Sequence, residues 1–337
     1  MKKKIYIKCQ NGINLQTAKK EIFSELLNEF EFIDSEKPDF ILFGPYGNDL
    51  PAKGDYTRIG YFCENIIPDL SVCEWAFGIP EEREIGDARY KRIQWHGLDP
   101  QILIKSDNED FAKLIKSKTK FCNFLYSNPV KYRESFFKQL STYKHIDAPG
   151  KSMNNMASID ELYKGDVWER KRQFLTPYKF TIAFENYMYP GYQTEKLYDT
   201  MQTGSIPIYL GDPNIGEIFN TKSFINASEY LNFKDSKIIS FLEKKAQQNF
   251  VDIRPQFYKS LPIRLRRKVK SWGRQLKMML QTNQLDFSPL IDRIIEIDNN
   301  PDLYLAYLRE PWFKNNRVPE NTTNYKRWLK IFNGVSQ

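Results

Sequence analysis

The sequence predicts an α/β protein of two Rossmann-like domains with a helical C-terminal region. Three observations carry that prediction. Short apolar runs alternate with helix-like patterns through the first third of the chain, and the alternation restarts near residue 120. With 337 residues, 41% of them hydrophobic, the chain can bury two cores. Strands alternating with helices imply parallel sheets covered on both faces. Ligands of such sheets bind beyond the carboxyl ends of the strands, so the expected site is a cleft between the two domains.

In order along the chain, KIYIKC (4–9) reads as a strand. Ala18, Ile22, Leu26 and Phe30 recur four apart and predict a helix over 15–30. DFILFG (39–44), RIGYFC (58–63) and RIQWHG (92–97) are again strand-like. The charged stretch 104–118 reads as a linker. KFCNFLYSN (120–128) opens the second series and is followed by a helix near 132–142. KFTIAFEN (179–186) and IPIYLGD (206–212) then flank a short helix. Residues 235–251 look helical, 254–281 basic and amphipathic, and 289–313 helical again before a polar tail. The implied division is a first domain over 1–115, a second over 116–300 containing a basic insertion at about 252–283, and a helical tail over 301–337.

Charge and composition exclude several classes. The net charge is +8, but Arg264, Arg266, Arg267, Lys268, Lys270, Arg274 and Lys277 lie within one acid-free stretch. Setting those seven aside leaves +1, so the basicity is local. No recognition motif accompanies it, and no nucleic-acid partner is expected. Cys9, Cys63, Cys73 and Cys122 form no C-x-x-C pair, which argues against a zinc site and for a reducing compartment. The two histidines, His96 and His145, are far apart and read as structural. The stretch after Met1 is too short and polar for a signal peptide, and no run approaches a membrane span. A cytoplasmic protein is expected.

The segment 179–213 carries the chemistry. A buried strand delivers Glu185 and Asn186 to its end, and a loop of Gly and Tyr leads to Thr194, a good N-cap. Glu195 and Lys196 then fall in the first helical turn. A Lys there adds positive charge to the positive end of the helix dipole. Together with the unpaired N–H groups it makes a ready anion site, suited to phosphate. From the residues alone, a well-capped βαβ unit with surface charges reads equally well.

The strings YKF-x-I-x-FEN, GY-x-TEK and IPIY-x-G-x-P resemble the signature of the family 10 glycosyltransferases, the α1,3/4-fucosyltransferases. SNP-x-x-x-R (127–133), HIDAPGKSMNN (145–155), YFCEN-x-x-PD (61–69), WAFG (75–78), SFINASEYLNF (223–233) and DNNPDLYLAYLREPWF (298–313) also fit that family. The resemblance implies a GT-B architecture, with the acceptor on the N-terminal side and the donor on the C-terminal side. It implies GDP-fucose as donor, inversion at the sugar, and no metal or other cofactor. Arg133 and Lys196 match the two cations that hold the donor diphosphate. Glu195 matches the carboxylate that contacts the fucose, and Asn186 and Tyr192 match donor-contacting positions. Glu64 matches the general base, so the implied catalytic carboxylates are Glu64 and Glu195. The acceptor implied is a glycan hydroxyl, in bacterial lipopolysaccharide or another surface polysaccharide. Another nucleotide-deoxysugar donor, or a non-catalytic glycan- or nucleotide-binding role, stands as the alternative.

One departure from the family pattern is large. Sixty-four residues separate Phe233 from Asp298, where a short connection is expected. Within them Leu265, Val269, Trp272, Leu276 and Met279 share one helical stripe among basic residues. Two readings remain open: an interfacial helix on an anionic membrane through residues 263–280, making the enzyme peripheral on the inner face, or a helix packed on the enzyme's own surface.

Overall fold

The computed structural model describes residues 1–253 and 260–334. Part of the expected basic insertion, residues 254–259, lies outside the described residues. The chain divides into two compact units. The first comprises residues 1–99, 235–279 and the segment from Pro319 onward; the second comprises 100–234 and 280–318. Residues 235–279 thus pack with the first unit, whereas the sequence placed them in an insertion of the second domain. In chain order the helices that matter are α1 (Leu15–Glu21), α2 (Phe111–Ser117), α3 (Lys131–Leu140), α4 (Val167–Leu175), α5 (Glu195–Gln202), α6 (Lys237–Ala246), α7 (Leu261–Thr282), α8 (Ser288–Asn299), α9 (Pro301–Arg309) and α10 (Tyr325–Phe332).

The first unit is built on six parallel strands: β1 (Lys3–Gln10), β2 (Phe30–Asp34), β3 (Phe40–Phe43), β4 (Thr57–Phe62), β5 (Trp75–Gly78) and β6 (Tyr90–Arg92). Their spatial order is β2-β1-β3-β4-β5-β6. Phe43, Ile59, Phe62, Ala76 and Phe77 are fully buried, as strands covered on both faces require.

Three sequence expectations fail here for local reasons. The helix expected over 15–30 ends at Glu21; a 3-10 turn over Ser24–Leu26 follows, and Phe30 opens β2. FEFID alternates buried and exposed, and this period of two outweighs the spacing of four. RIQWHG contributes only Arg92 to a strand, because β6 ends there and Gly97 turns the chain at φ +64°. The unpredicted β5 fills the place between β4 and β6. The polar tail is also more than polar, since α10 buries Trp328, Ile331 and Phe332 in the first core. The Trp328 ring stacks on Phe77 at 4.1 Å.

The second unit holds β7 (Lys120–Asn123), β8 (Ile146–Asp147), β9 (Tyr178–Phe184), β10 (Ile206–Leu210) and β11 (Ile225–Asn226), all parallel. Their order is β11-β10-β9-β7-β8, so the first strand of the unit lies between the second and the third. The first unit repeats this arrangement, which makes both Rossmann-like and doubly wound. Residues 104–118, expected as a linker, belong inside the second unit, where Lys118 Nζ donates to the carbonyls of Thr176 at 2.7 Å and Thr203 at 2.6 Å. The DNNPDLYLAYL stretch also has a packing role. Asp298, at the end of α8, accepts hydrogen bonds at 2.5 Å from both Lys144 and Lys179, pinning α8 beside α3 and β9.

Candidate active site

In a doubly wound sheet the binding crevice lies where strand order reverses, beyond the carboxyl ends of the two flanking strands. In the second unit those strands are β7 and β9. Glu185 and Asn186 follow β9 directly, and the chain leaving β7 passes Tyr126 and Asn128 into α3, which carries Arg133.

The Glu185 amide donates to Leu210 O at 2.7 Å, extending the ladder one residue and fixing the side chain. That side chain is completely buried. A Cβ at Gly211 would lie 2.6 Å from Glu185 Cγ and 2.5 Å from Tyr209 Oη, so only glycine leaves room for it. The carboxylate receives the Thr194 amide at 2.8 Å and the Thr194 hydroxyl at 2.9 and 2.8 Å. It also receives Lys196 Nζ at 3.2 Å. Thr194 therefore occupies the N-cap position without capping through its side chain, because its hydroxyl is committed to Glu185. Burial raises the Glu185 carboxyl above its ordinary value, against the opposing pull of Lys196 and the Thr194 donors.

Lys196 is only 18% exposed and also donates to Thr194 Oγ1 at 2.8 Å. Its charge at the first turn of α5 is thus held by a buried acid beneath it. Glu195 belongs to a second cluster with Lys171 of α4 and Asp199 of α5. Lys171 Nζ lies 2.5 Å from Asp199 and 3.4 Å from Glu195, and Lys196 Nζ is 3.9 Å from Glu195. Burial pushes the Glu195 carboxyl up, but the charges of Lys196 and Lys171 outweigh it and hold the group at about 2. Asp199 has one lysine for its burial and is raised; burial lowers Lys171, but its two carboxylates leave it raised overall.

Arg133 is fully buried. Its guanidinium lies 3.6 Å above the Tyr126 ring. Nη1 donates to Phe184 O at 3.3 Å and to Asn186 Oδ1 at 3.0 Å, and Nη2 donates to Asn128 O at 2.5 Å. Among the described residues no carboxylate lies within ion-pair distance of it; Glu134 instead accepts from Ser152 Oγ at 2.7 Å. Between Asn186 and Thr194, the Gly191 amide donates to Oδ1 of the buried Asp212 at 3.0 Å, tying the loop to the end of β10. Tyr192 stands on this loop with its ring 6.5 Å from that of Tyr187.

The structure thus brings Arg133, Asn186, Tyr192, Glu195 and Lys196 to one end of the second unit. Glu64 belongs to the first unit, just beyond β4, where its side chain is exposed. Among the described residues its carboxylate makes no hydrogen bond or ion pair. The turn around it is held by Gln247 Nε2 donating to Asn65 Oδ1 at 2.9 Å and by the Ile67 amide donating to Gln248 O at 2.8 Å. His96 Nδ1 is 3.2 Å from the Tyr61 hydroxyl, and the exposed His145 is 3.1 Å from Asp147.

Sequence reasoning gave no role to Glu185, Lys171, Asp199 or Tyr126. The Glu195–Asp199 spacing of four was a usable signal, since it puts both acids on one helix face. Nothing in the sequence around Lys171 pointed to them.

Comparison with known proteins finds a family likeness over the segment that contains this cluster. Residues 115–252 match the model of glycosyltransferase family 10 (fucosyltransferase), C-terminal part. The chain is 34% identical over 120 residues to the alpha-(1,3)-fucosyltransferase of Helicobacter pylori, covering 35% of this chain and 23% of that protein. It is 32% identical over 106 residues to the GDP-fucose protein O-fucosyltransferase 3 of Bos taurus, covering 31% and 22%. These matches span about a quarter of the curated relatives' length. Among solved structures, an alpha1,3-fucosyltransferase shares the fold with a TM-score of 0.61 at 20% identity, over 99% of this chain and 90% of that one. An alpha1,3-fucosyltransferase with GDP-fucose aligns with a TM-score of 0.61 at 18% identity, over 99% and 91%. The GT-B fold class and the family resemblance read from the sequence are borne out, the latter over residues 115–252.

Proposed function

We propose that this chain transfers fucose from GDP-fucose to a hydroxyl of a glycan, in the manner of an α1,3-fucosyltransferase and with inversion at the sugar. One observation carries the reading: the family-matched segment ends β9 in a cluster that holds Lys196 at a helix N-terminus beside Glu195, with Arg133 fixing Asn186. A GDP-sugar offers that cluster two phosphates and a sugar. In this reading Lys196, the N-terminus of α5 and the charge of Arg133, which holds Asn186, favour the diphosphate. As the bond from the sugar to GDP breaks, its electron pair passes to the diphosphate, and the same groups stabilise the added charge. No metal is needed for that role in this reading. Glu195, ionised through the physiological range, can accept from a sugar hydroxyl. Glu64, exposed and unpaired at the end of β4, is assigned as the base that takes the acceptor proton while the acceptor oxygen bonds to the anomeric carbon. The partners are then a GDP-sugar, a glycan acceptor and, through α7, an anionic membrane surface. A place in surface polysaccharide assembly rests on the family resemblance.

The test is a donor screen. Purified protein is incubated with GDP- and UDP-sugars, with and without EDTA, following thermal stabilisation and slow donor hydrolysis. A selective response to GDP-fucose, unchanged by EDTA and lost in Lys196→Ala, is the expected result. Preference for another GDP-sugar overturns the donor assignment, and silence toward every nucleotide overturns the enzyme reading.

A further inference from the structure

We propose that α7, with α6 packed beside it, is a docking surface for an anionic lipid bilayer, an inference that specifies the membrane partner named above and does not depend on the donor. Helix α7 is inverted relative to an ordinary surface helix, which buries its apolar side. Its charged side faces inward. Lys270 Nζ lies 2.5 Å and Arg266 Nε 3.0 Å from the fully buried Asp252, and Lys277 Nζ is 2.8 Å from Glu243. Arg274 Nη1 donates to Ala246 O at 2.9 Å. Gly273 seats the helix against α6 so closely that a Cβ there would lie 2.9 Å from Ala246 Cβ.

The apolar side faces outward. Leu261, Leu265, Val269, Trp272, Leu276 and Met279, spaced three or four apart, are between 41% and 76% exposed. On α6, Ile238 and Phe241 are 61% and 60% exposed. Packing of the stripe on the enzyme's own surface, one of the two readings open from the sequence, is therefore not found among the described residues. So many exposed apolar side chains on neighbouring helices mark an interaction site.

Charge decides the occupant. Helix α7 contains no acidic residue. Arg264 and Lys268 are exposed within a turn of the stripe, and Lys237, Lys244 and Lys245 are exposed on α6. None of these five forms an ion pair among the described residues. Lys268 Nζ sits 5.0 Å over the Trp272 ring, placing a cation beside an aromatic of the kind that favours the headgroup layer. A second copy of the chain would bring the same uncompensated cations to the same rim, whereas an anionic bilayer offers both the opposite charge and an apolar phase. Among the described residues no helix is long and apolar enough to cross a membrane, so α7 would lie flat.

The test uses the full chain and sedimentable vesicles of phosphatidylcholine with or without phosphatidylglycerol. Binding is expected only with phosphatidylglycerol and weakens as salt is raised. Replacing both Arg264→Gln and Lys268→Gln should weaken it roughly thirtyfold, at the usual contribution of a basic residue near an anionic surface. Leu265→Asp with Val269→Asp should abolish it while leaving thermal stability unchanged. Brominated lipid should quench Trp272, and the added quenching should vanish in Trp272→Phe although that variant still binds. Equal sedimentation with neutral vesicles, retained binding in the Asp variant, or a concentration-dependent dimer that loses its contact in that variant would each overturn the proposal.

Discussion

Replacing Glu185 tests whether the acid buried beneath Lys196 holds the start of α5 in place. Glu185→Ala removes the acceptor of the Thr194 amide, of the Thr194 hydroxyl and of Lys196 Nζ at once. A buried amide left without a partner costs about 1–3 kcal/mol. The hydroxyl can turn elsewhere, and Lys196, at 18% exposure, recovers part of its loss from water. The expected destabilisation is about 3–5 kcal/mol, the range for breaking a buried ion pair by removing one partner. Glu185→Gln keeps an oxygen for the Thr194 amide but loses the charge and turns an amide donor toward Lys196 Nζ, so about 1.5–3 kcal/mol is expected, the range for a hydrogen bond to a charged group.

The assay is urea unfolding followed by tryptophan fluorescence, comparing midpoints at unchanged slope. A cycle through Glu185→Gln, Lys196→Met and the double variant isolates the pair, with an expected coupling of about 1–3 kcal/mol. A Glu185→Ala variant within about 0.5 kcal/mol of wild type, the level of a neutral surface change, would refute the reasoning. So would a coupling energy of zero.

Other perturbations have separable readouts. Lys171→Met leaves Asp199 and Glu195 without their shared cation and should cost roughly 3 kcal/mol. Glu195 then rises from about 2 and its stabilising contribution is lost, so the deficit should be full above the ordinary carboxylate value and shrink as pH falls from that value toward 2. Asp298→Asn should cost about 2 kcal/mol in chemical denaturation through its charged hydrogen bonds to Lys144 and Lys179. Burial pushes Asp298 up, but the two lysines hold it below its usual value, so its contribution is present above that value and is lost in acid, where variant and wild type should converge. Trp328→Ala should destabilise the first unit by about 3–5 kcal/mol in thermal unfolding, through loss of its stack on Phe77. Glu64→Gln should lower kcat roughly 10²–10⁴-fold with GDP-fucose stabilisation unchanged; an equal loss of donor binding would exclude the base role.

The sheet strands were legible wherever burial on both faces made a continuous apolar run, as in FILF, TRIGYF, KFTIAF and IPIYL. WAFG was missed as a strand because four residues carry too little periodicity of their own; β4 and β6 on either side supply its context. The burial of the tail helix was missed because Trp328, Ile331 and Phe332 sit among Lys, Arg and Asn, and only the first core shows what they fill. At the site, residue types and spacing identified Glu195 and Lys196 as a helix start, and resemblance added Arg133, Asn186 and Tyr192. What stayed hidden was contact across sequence distance. Lys171 lies 24 positions before Glu195, and Arg133 meets Asn186 53 positions later.

The misplaced charge of Lys196 now has a physical account. A cation at a helix N-terminus costs about 0.3–1 kcal/mol on dipole grounds. Here the cation lies over Glu185, a carboxylate with no exposure, whose Thr194 hydrogen bonds fix its position. The acid offsets the unfavourable placement while remaining below the surface, and Lys196 keeps the exposed share of the pair. Glu195 is held ionised by two lysines and is half-buried beside it. The local charges of Lys171, Lys196 and Arg133 are matched by those of Glu185, Glu195 and Asp199, so net charge alone draws no anion to this point. Under the proposed function, selection comes from arrangement: Lys196 at the N-terminus of α5 on one side, an ionised carboxylate for hydroxyl groups on the other. A ligand that carries phosphate next to a polyhydroxylated ring satisfies both, whereas phosphate alone leaves Glu195 unused and a neutral sugar leaves Lys196 unused.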